Sequence, residues 1–165
     1  MAEKNNPVRE TDEHAIELAR KLMFENRYGA IGVLEPKTGV PLVSRISLAC
    51  STQHGIFFSA SDLSLHSKAL ALDATCSLLL GEPGKGDGLA HPRITLVCET
   101  RRLPNSDAKY SLLRAKFLEV HPKAELYIDF ADFGFYPLEI KRAYLNGGFG
   151  KAYHLDADDL VFFEA

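Results

Sequence analysis

Residues 40–60, VPLVSRISLACSTQHGIFFSA, decide the fold. Two apolar runs, 40–50 and 56–60, flank the short polar segment STQHG. In the first run Val43, Arg45 and Ser47 share one parity, while Ile46 and Leu48 share the other. A period of two marks a strand with one buried face. The connection is too short for a parallel crossover, so the two runs form an antiparallel pair.

The same grammar extends in both directions. YGAIGVLEP (28–36) and the turn KTG (37–39) place a strand before this pair. TCSLLLGE (75–82) is apolar throughout and reads as a buried strand. RITLVCETRRL (93–103) and FYPLEIKRAYLNG (135–147) complete six strands, and DADDLVFFEA (156–165) predicts an acidic turn and a short terminal strand. Helices separate some of these. Thr11 is the expected cap of the first, with Asp12 and Glu13 in its first turn. Ala15, Ile16, Ala19, Leu22 and Met23 form its apolar stripe, and Asn26 and Gly29 stop it. SLHSKALAL (64–72) predicts a short helix. Asn105 or Ser106 is expected to start another, running through Leu112, Leu113 and Phe117 to about Val120, where His121-Pro122 ends it. AELYIDFADFG (124–134) predicts a helical turn or two. The expected fold is mainly β with peripheral helices, an antiparallel barrel that is closed or partly closed, because closure removes exposed edges. A sheet with helices on one face is the alternative. Residues 1–10 are expected to be a flexible polar arm, and 11–165 one domain.

Composition narrows the function classes. A net charge of −3 gives no basic field for nucleic acid or an anionic membrane. No apolar run approaches the roughly 20 residues of a spanning helix, and residues 1–14 lack the apolar core of a secretory signal. Cys50, Cys76 and Cys98 lie far apart in apolar runs, as reduced core thiols do. A cytoplasmic location is the expectation. Among His14, His54, His66, His91, His121 and His154 there is no metal-ligand spacing, so no metal is expected.

Several segments bear on chemistry. In FFSASDLSLHSKAL (57–70) a strand meets a helix that Ser61 or Asp62 can cap, and Ser64 and Lys68 share one helical face. Free N–H groups, hydroxyls and an ammonium together suit a phosphate; a capped surface helix is the plainer reading. Arg45 sits amid an apolar strand, where a phosphate partner or a solvent-facing position would account for it. GEPGKGDG (81–88) is not a phosphate loop, since Lys85 precedes Gly86 and no helix follows. Asp129 and Asp132 read as an acid/base pair or as turn caps. No nucleophile elbow or catalytic-cysteine signature is present, and no catalytic residue is assigned. In YLNGGFGKAYHL (144–155) three glycines permit a sharp bend, with Phe149 turned inward as a plug or laid along the wall of a ligand pocket.

Five of these segments, GVPLVSRISLA, GIFFSASDLSLHSKAL, ATCSLLLGE, RITLVC and RAYLNGGFGKA, in this order resemble the FMN-binding split-barrel proteins. Within them the chain is most similar to the branch related to pyridoxamine 5′-phosphate oxidase and to haem utilisation. The resemblance spans roughly residues 12–155. It implies a six-stranded split barrel that forms a homodimer with FMN at the interface and acts as an oxidoreductase. The residues it implies for the flavin are Arg45, Ser47, Ser59, Ala60, Ser61, His66, Ser67 and Lys68. The RLHDR-like segment of the true oxidases is missing, so their own reaction is not implied. For haem as the alternative ligand, Arg142, Phe149 and His154 are the expected cleft contacts. A non-catalytic dimeric barrel is the third possibility.

Overall fold

A computed structural model describes residues 8–161. Its strands are β1 (Val8–Arg9), β2 (Tyr28–Leu34), β3 (Pro41–Ser51), β4 (Gly55–Ser61), β5 (Thr75–Leu80), β6 (Arg93–Thr100), β7 (Phe133–Asn146) and β8 (Ala152–Asp156). Its α-helices are α1 (Glu13–Glu25), α2 (Leu65–Leu72) and α3 (Tyr110–Val120). The ring runs β2-β3-β4-β7-β6-β5 and back to β2, with every pairing antiparallel. Six strands close a barrel, as the sequence leads one to expect. β8 forms a hairpin with β7, and β1 pairs in parallel with β8.

β7 closes the ring by serving two partners. Residues 133–137 pair with β4 and residues 138–146 with β6. Pro137 stands at the handover, where its missing N–H costs least, and its carbonyl accepts a 2.6 Å bond from the Thr100 hydroxyl. A bulge opposite Val97 and Cys98 adds twist to β7 as β8 takes up its free edge.

Two apolar clusters result. The first fills the barrel: Ile31, Leu48, Phe58, Leu78, Leu96 and Leu145 meet there, and α1 (Ala15, Ala19, Met23) and α2 (Ala69, Leu70) pack against them. Cys50, Cys76 and Cys98 lie in this cluster as free thiols, and burial pushes the first two up to about 12 and raises Cys98 as well. They are inert thiols. The second cluster lies outside the barrel. Ala49, Phe57 and Phe135 face outward beneath α3 and the 3-10 turn Pro122–Leu126, meeting Leu113, Phe117, Ala124 and Ile128. Phe57 packs edge-on to Phe135 at 6.0 Å. His121 caps α3, is buried, and bonds the Leu48 carbonyl through Nε2 at 2.9 Å.

Local differences from the sequence reading have simple causes. Asp12, not Thr11, caps α1 by accepting the Ala15 N–H at 2.7 Å; Thr11 donates instead to the His154 carbonyl at 2.8 Å. Asn26 does end α1, its amide donating to the Leu22 carbonyl, but Gly29 lies within β2, where a Cβ would come within 2.7 Å of Leu78. α3 starts at Tyr110, because Asn105 accepts from Arg102 and Ser106 lies in the turn before it. Of the expected polar arm, Val8–Arg9 form β1 and residues 1–7 lie outside the described residues. β8 was not expected as a strand. The acidic segment is the 3-10 turn Asp158–Leu160, and residues 162–165 of the expected terminal strand lie outside the described residues.

Candidate functional site

The corner between β4 and α2 is tied down on both sides. The Ser61 hydroxyl donates to the Asp132 carboxylate, and the Asp62 N–H donates to the Asp132 carbonyl at 2.6 Å. Ser64, rather than Ser61 or Asp62, caps α2 by accepting the Ser67 N–H at 3.3 Å. Its hydroxyl lies 2.8 Å from that of Ser67. From the other side Arg102 reaches over. Its Nε donates to Asp62 at 2.9 Å, Nη1 to Asn105 at 2.9 Å and Nη2 to the Phe133 carbonyl at 2.9 Å. The guanidinium lies on Gly134, where a Cβ would sit 2.5 Å from its Nε and force it to shift. Asp132 is therefore a structural partner. Asp129 is another, because Arg114 grips it with two bonds and holds its carboxyl below the usual range. The two carboxylates serve separate contacts and do not form an acid/base pair.

Within this corner the sequence-derived residues separate. Ser67 is buried and Lys68 exposed, and both line a cavity of about 360 Å³ with Asp62, Arg101, Arg102 and Tyr136. Ala60 is buried in the barrel. Arg45 and Ser47 lie on the outer face of β3, opposite Ala30 and Tyr28, and outside the cavities that Lys68 lines. Two atoms are orphans: Ser59 Oγ and His66 Nε2 are buried without a hydrogen-bond partner among the described residues. Buried polar atoms are nearly always paired, so these two are candidates for a ligand. Burial pushes the His66 imidazole below the ordinary histidine range, so it contributes a ring nitrogen and no charge at neutral pH. Arg101, Arg102 and Tyr136 were missed. The RR doublet closing the fifth apolar run was visible, but nothing in the sequence said that it faces α2.

The second cluster lies on the outer face of β7 and β8. Tyr144 and His154 are paired in register, with rings edge-on at 4.9 Å. Arg142 Nε donates to the Tyr144 hydroxyl at 3.0 Å, and its guanidinium lies 6.0 Å from the Tyr144 ring centre. All three are exposed. Among the described residues Arg142 forms no ion pair, and the His154 ring nitrogens bond nothing. The glycine cluster makes the hairpin that joins these strands. Gly148 has φ 111°, and a Cβ there would sit 2.9 Å from the Ala90 carbonyl. The Gly147 N–H donates to the Lys151 carbonyl at 2.8 Å. Phe149 is 71% exposed at the tip, so it plugs nothing.

This face continues around the barrel. Val43 (67% exposed), Tyr28, Leu79 (43% exposed) and Tyr144 leave an apolar outer wall on β2, β3, β5 and β7. No helix among the described residues is long and apolar enough to cross a membrane, and no cluster of potential metal ligands occurs among them.

A family model described as CREG, beta-barrel matches residues 10–161, and the chain belongs to that family. It is 33% identical over 111 residues to a non-canonical heme oxygenase, chloroplastic, from Arabidopsis thaliana, covering 66% of this chain and 33% of that protein. A solved heme binding protein from Mycobacterium smegmatis is 26% identical, with a TM-score of 0.83 over 94% of this chain and 63% of the other. The chain thus spans about a third of the plant protein and under two thirds of the mycobacterial one. A Clostridium acetobutylicum protein of the pyridoxinephosphate oxidase family shares the fold, with a TM-score of 0.68 at 15% identity over 91% of this chain and 99% of the other.

Proposed function

We propose that this CREG β-barrel protein is a haem-binding protein that works as a homodimer in the cytoplasm. The observation that carries the reading is the convergence of Arg142, Tyr144 and His154 on one exposed face. Each offers what a metalated, carboxylate-bearing macrocycle needs. His154 has unengaged ring nitrogens, one of which suits an iron ligand. Arg142 has no ion pair among the described residues, and its fork matches a propionate. Tyr144 gives a ring for the macrocycle to lie against and holds Arg142 in place. When bound, haem supplies the redox-active iron; these side chains bind and orient it. Names of the plant and mycobacterial relatives point the same way. A second copy of the chain would cover the apolar outer wall around Val43 and Leu79. The buried free thiols fit a reducing compartment.

Titration of the purified protein with haemin tests this. A saturable Soret band that His154→Ala shifts and Arg142→Ala weakens by about tenfold or more is the expected result. A Soret band unaltered by either variant would sink the assignment. Decay of the band under a reductant and air would extend the reading to haem degradation.

A second reading has its own observation. The orphaned Ser59 Oγ on β4 and His66 Nε2 on α2, together with Ser67 and Lys68 on the wall of the adjoining cavity, are the features that favour FMN at the β4–α2 corner. The isoalloxazine would then carry redox chemistry, and the corner would bind and orient it. A two-band flavin spectrum retained after gel filtration supports this reading over haem.

A further inference from the structure

A cavity of about 520 Å³ opens between the C-terminal half of α1 and the base of the loop that joins β5 to β6. It shares no lining residue with the haem cluster or with the β4–α2 corner. Its volume is in the range of small-ligand pockets. Local chemistry fixes both walls. On one side the Asn26 amide donates to the Leu22 carbonyl at 2.7 Å and squares off the helix end. On the other, Gly81 has φ 113° and would place a Cβ 2.5 Å from the Pro92 carbonyl, so the two ends of the loop close on each other there. Leu18, Leu22 and Pro92 give the cavity its apolar lining.

The charges set this cavity apart. Lys21, Glu25, Arg27 and Glu82 all line it, two cations and two anions. Among the described residues none of the four takes part in an ion pair. Lys21 and Glu25 stand four residues apart on α1, the spacing at which such pairs form, and still do not pair. Glu25 is also misplaced for its helix. It lies in the last turn, at the negative end of the helix dipole, and that turn has no basic residue. A cation supplied from outside would offset both carboxylates and the helix end. An anion on the same molecule would engage Arg27 and Lys21.

We propose that this cavity binds a free α-amino acid with an apolar side chain. The ligand's ammonium meets Glu25, Glu82 and the carbonyl end of α1. Its carboxylate takes the Arg27 fork, with Lys21 as a second cation. Its side chain lies against Leu18, Leu22 and Pro92. A ligand with a single charge leaves the opposite pair unanswered, so the zwitterion is selected over a simple amine or a simple acid. The site stands on this cavity alone and does not depend on haem or flavin binding.

The test is titration of the full chain with leucine, read by amide NMR shifts. Two analogues of similar shape run beside it: isoamylamine, which lacks the carboxylate, and isocaproate, which lacks the ammonium. Leucine is expected to give saturable shifts between Lys21 and Tyr28 and at Gly81, Glu82 and His91. Each analogue should bind about fivefold or more weakly, as should leucine to Arg27→Gln and to Glu82→Gln. Arg27 and Glu82 are exposed, so both variants should keep the wild-type urea midpoint, and unchanged haemin affinity separates this site from the haem face. Glu25→Gln should weaken leucine while raising the urea midpoint slightly, because it relieves the helix end; a purely structural Glu25 would move the midpoint alone. Absence of saturable shifts, equal binding of leucine and either analogue, or binding that neither Arg27→Gln nor Glu82→Gln weakens overturns the assignment. Shifts centred on Arg142 and His154 overturn it as well.

Discussion

The barrel wall has two outer sides built by the same strand alternation, and they have opposite fates. On one side Ala49, Phe57 and Phe135 face outward into a roof made by α3 and its following turn. On the other side Val43, Leu79 and Tyr144 face outward with no roof among the described residues, and half-exposed Tyr28 stands at the border, edge-on to His121 at 5.4 Å. Composition alone would not sort them, since both are apolar in part. What separates them is the mix. The roofed side is mostly apolar and carries no charge, with Phe57, Phe117 and Phe135 about 6 Å apart and only Ser59 and His121 as polar members. The bare side interleaves its apolar residues with Arg45, Ser47 and Arg142, which a solvated or ligand-facing wall tolerates and a sealed one does not.

That contrast is easy to attack. Phe57→Ala removes the centre of the roofed cluster and should cost about 3–5 kcal/mol in urea unfolding, whereas Val43→Ser should stay within about 0.5 kcal/mol for the monomer. Equal losses would erase the distinction. Next, Leu79→Asp should convert the proposed homodimer to monomer in sedimentation velocity while leaving the circular dichroism spectrum unchanged. An unchanged sedimentation coefficient in a dimeric sample would move the interface elsewhere. Gly148→Ala should cost roughly 1–3 kcal/mol, because its φ of 111° and the 2.9 Å approach to Ala90 both exclude a side chain. The hairpin beneath Arg142 and His154 would loosen, so haemin affinity should fall more than in Val43→Ser.

The smallest effect concerns pH. Burial holds the His66 imidazole below its ordinary range, so the unfolded chain takes up a proton there at a higher pH than the folded one. Stability should therefore fall as pH drops below about 6.5 and stop falling below the depressed folded value. His66→Gln should flatten that slope in urea midpoints compared at pH 7.5 and 5.5. Identical slopes would mean that His66 titrates normally.

The barrel was legible because period-two alternation and short polar turns are local signals. Residues 40–60 carry both, and β3 and β4 pair through Leu48 and Phe58 as that pattern requires. β8 was not, because Ala152–Asp156 is short and its pairing with β7 is made by a glycine hairpin that reads equally as a loop. The candidate sites were only partly legible as groupings of residues. Lys68 and Ser67 announce themselves at a helix start, and Arg142 and His154 were named together although twelve residues apart; Tyr144, which joins them, looked like one more strand aromatic. Arg101 and Arg102 could not be placed, since the approach of β6's end to α2 is set by barrel closure and by no local pattern. Of the two readings of Phe149, its exposure at the hairpin tip removes the plug and leaves the wall of a ligand pocket.

The double duty of β7 has a consequence for the order in which the chain acquires structure. Phe57 must wait for Pro137, and Thr100 for Leu138, so neither β4 nor β6 gains its second neighbour until residues 133–146 have been made. On the ribosome the nascent chain carries two bare sheet edges through most of its synthesis, and such edges recruit other strands. Chain closure across some eighty residues is also slow relative to hairpin formation. The last barrel strand is thus the one that ends the period of vulnerability, and lesions in it should show first as lost soluble yield.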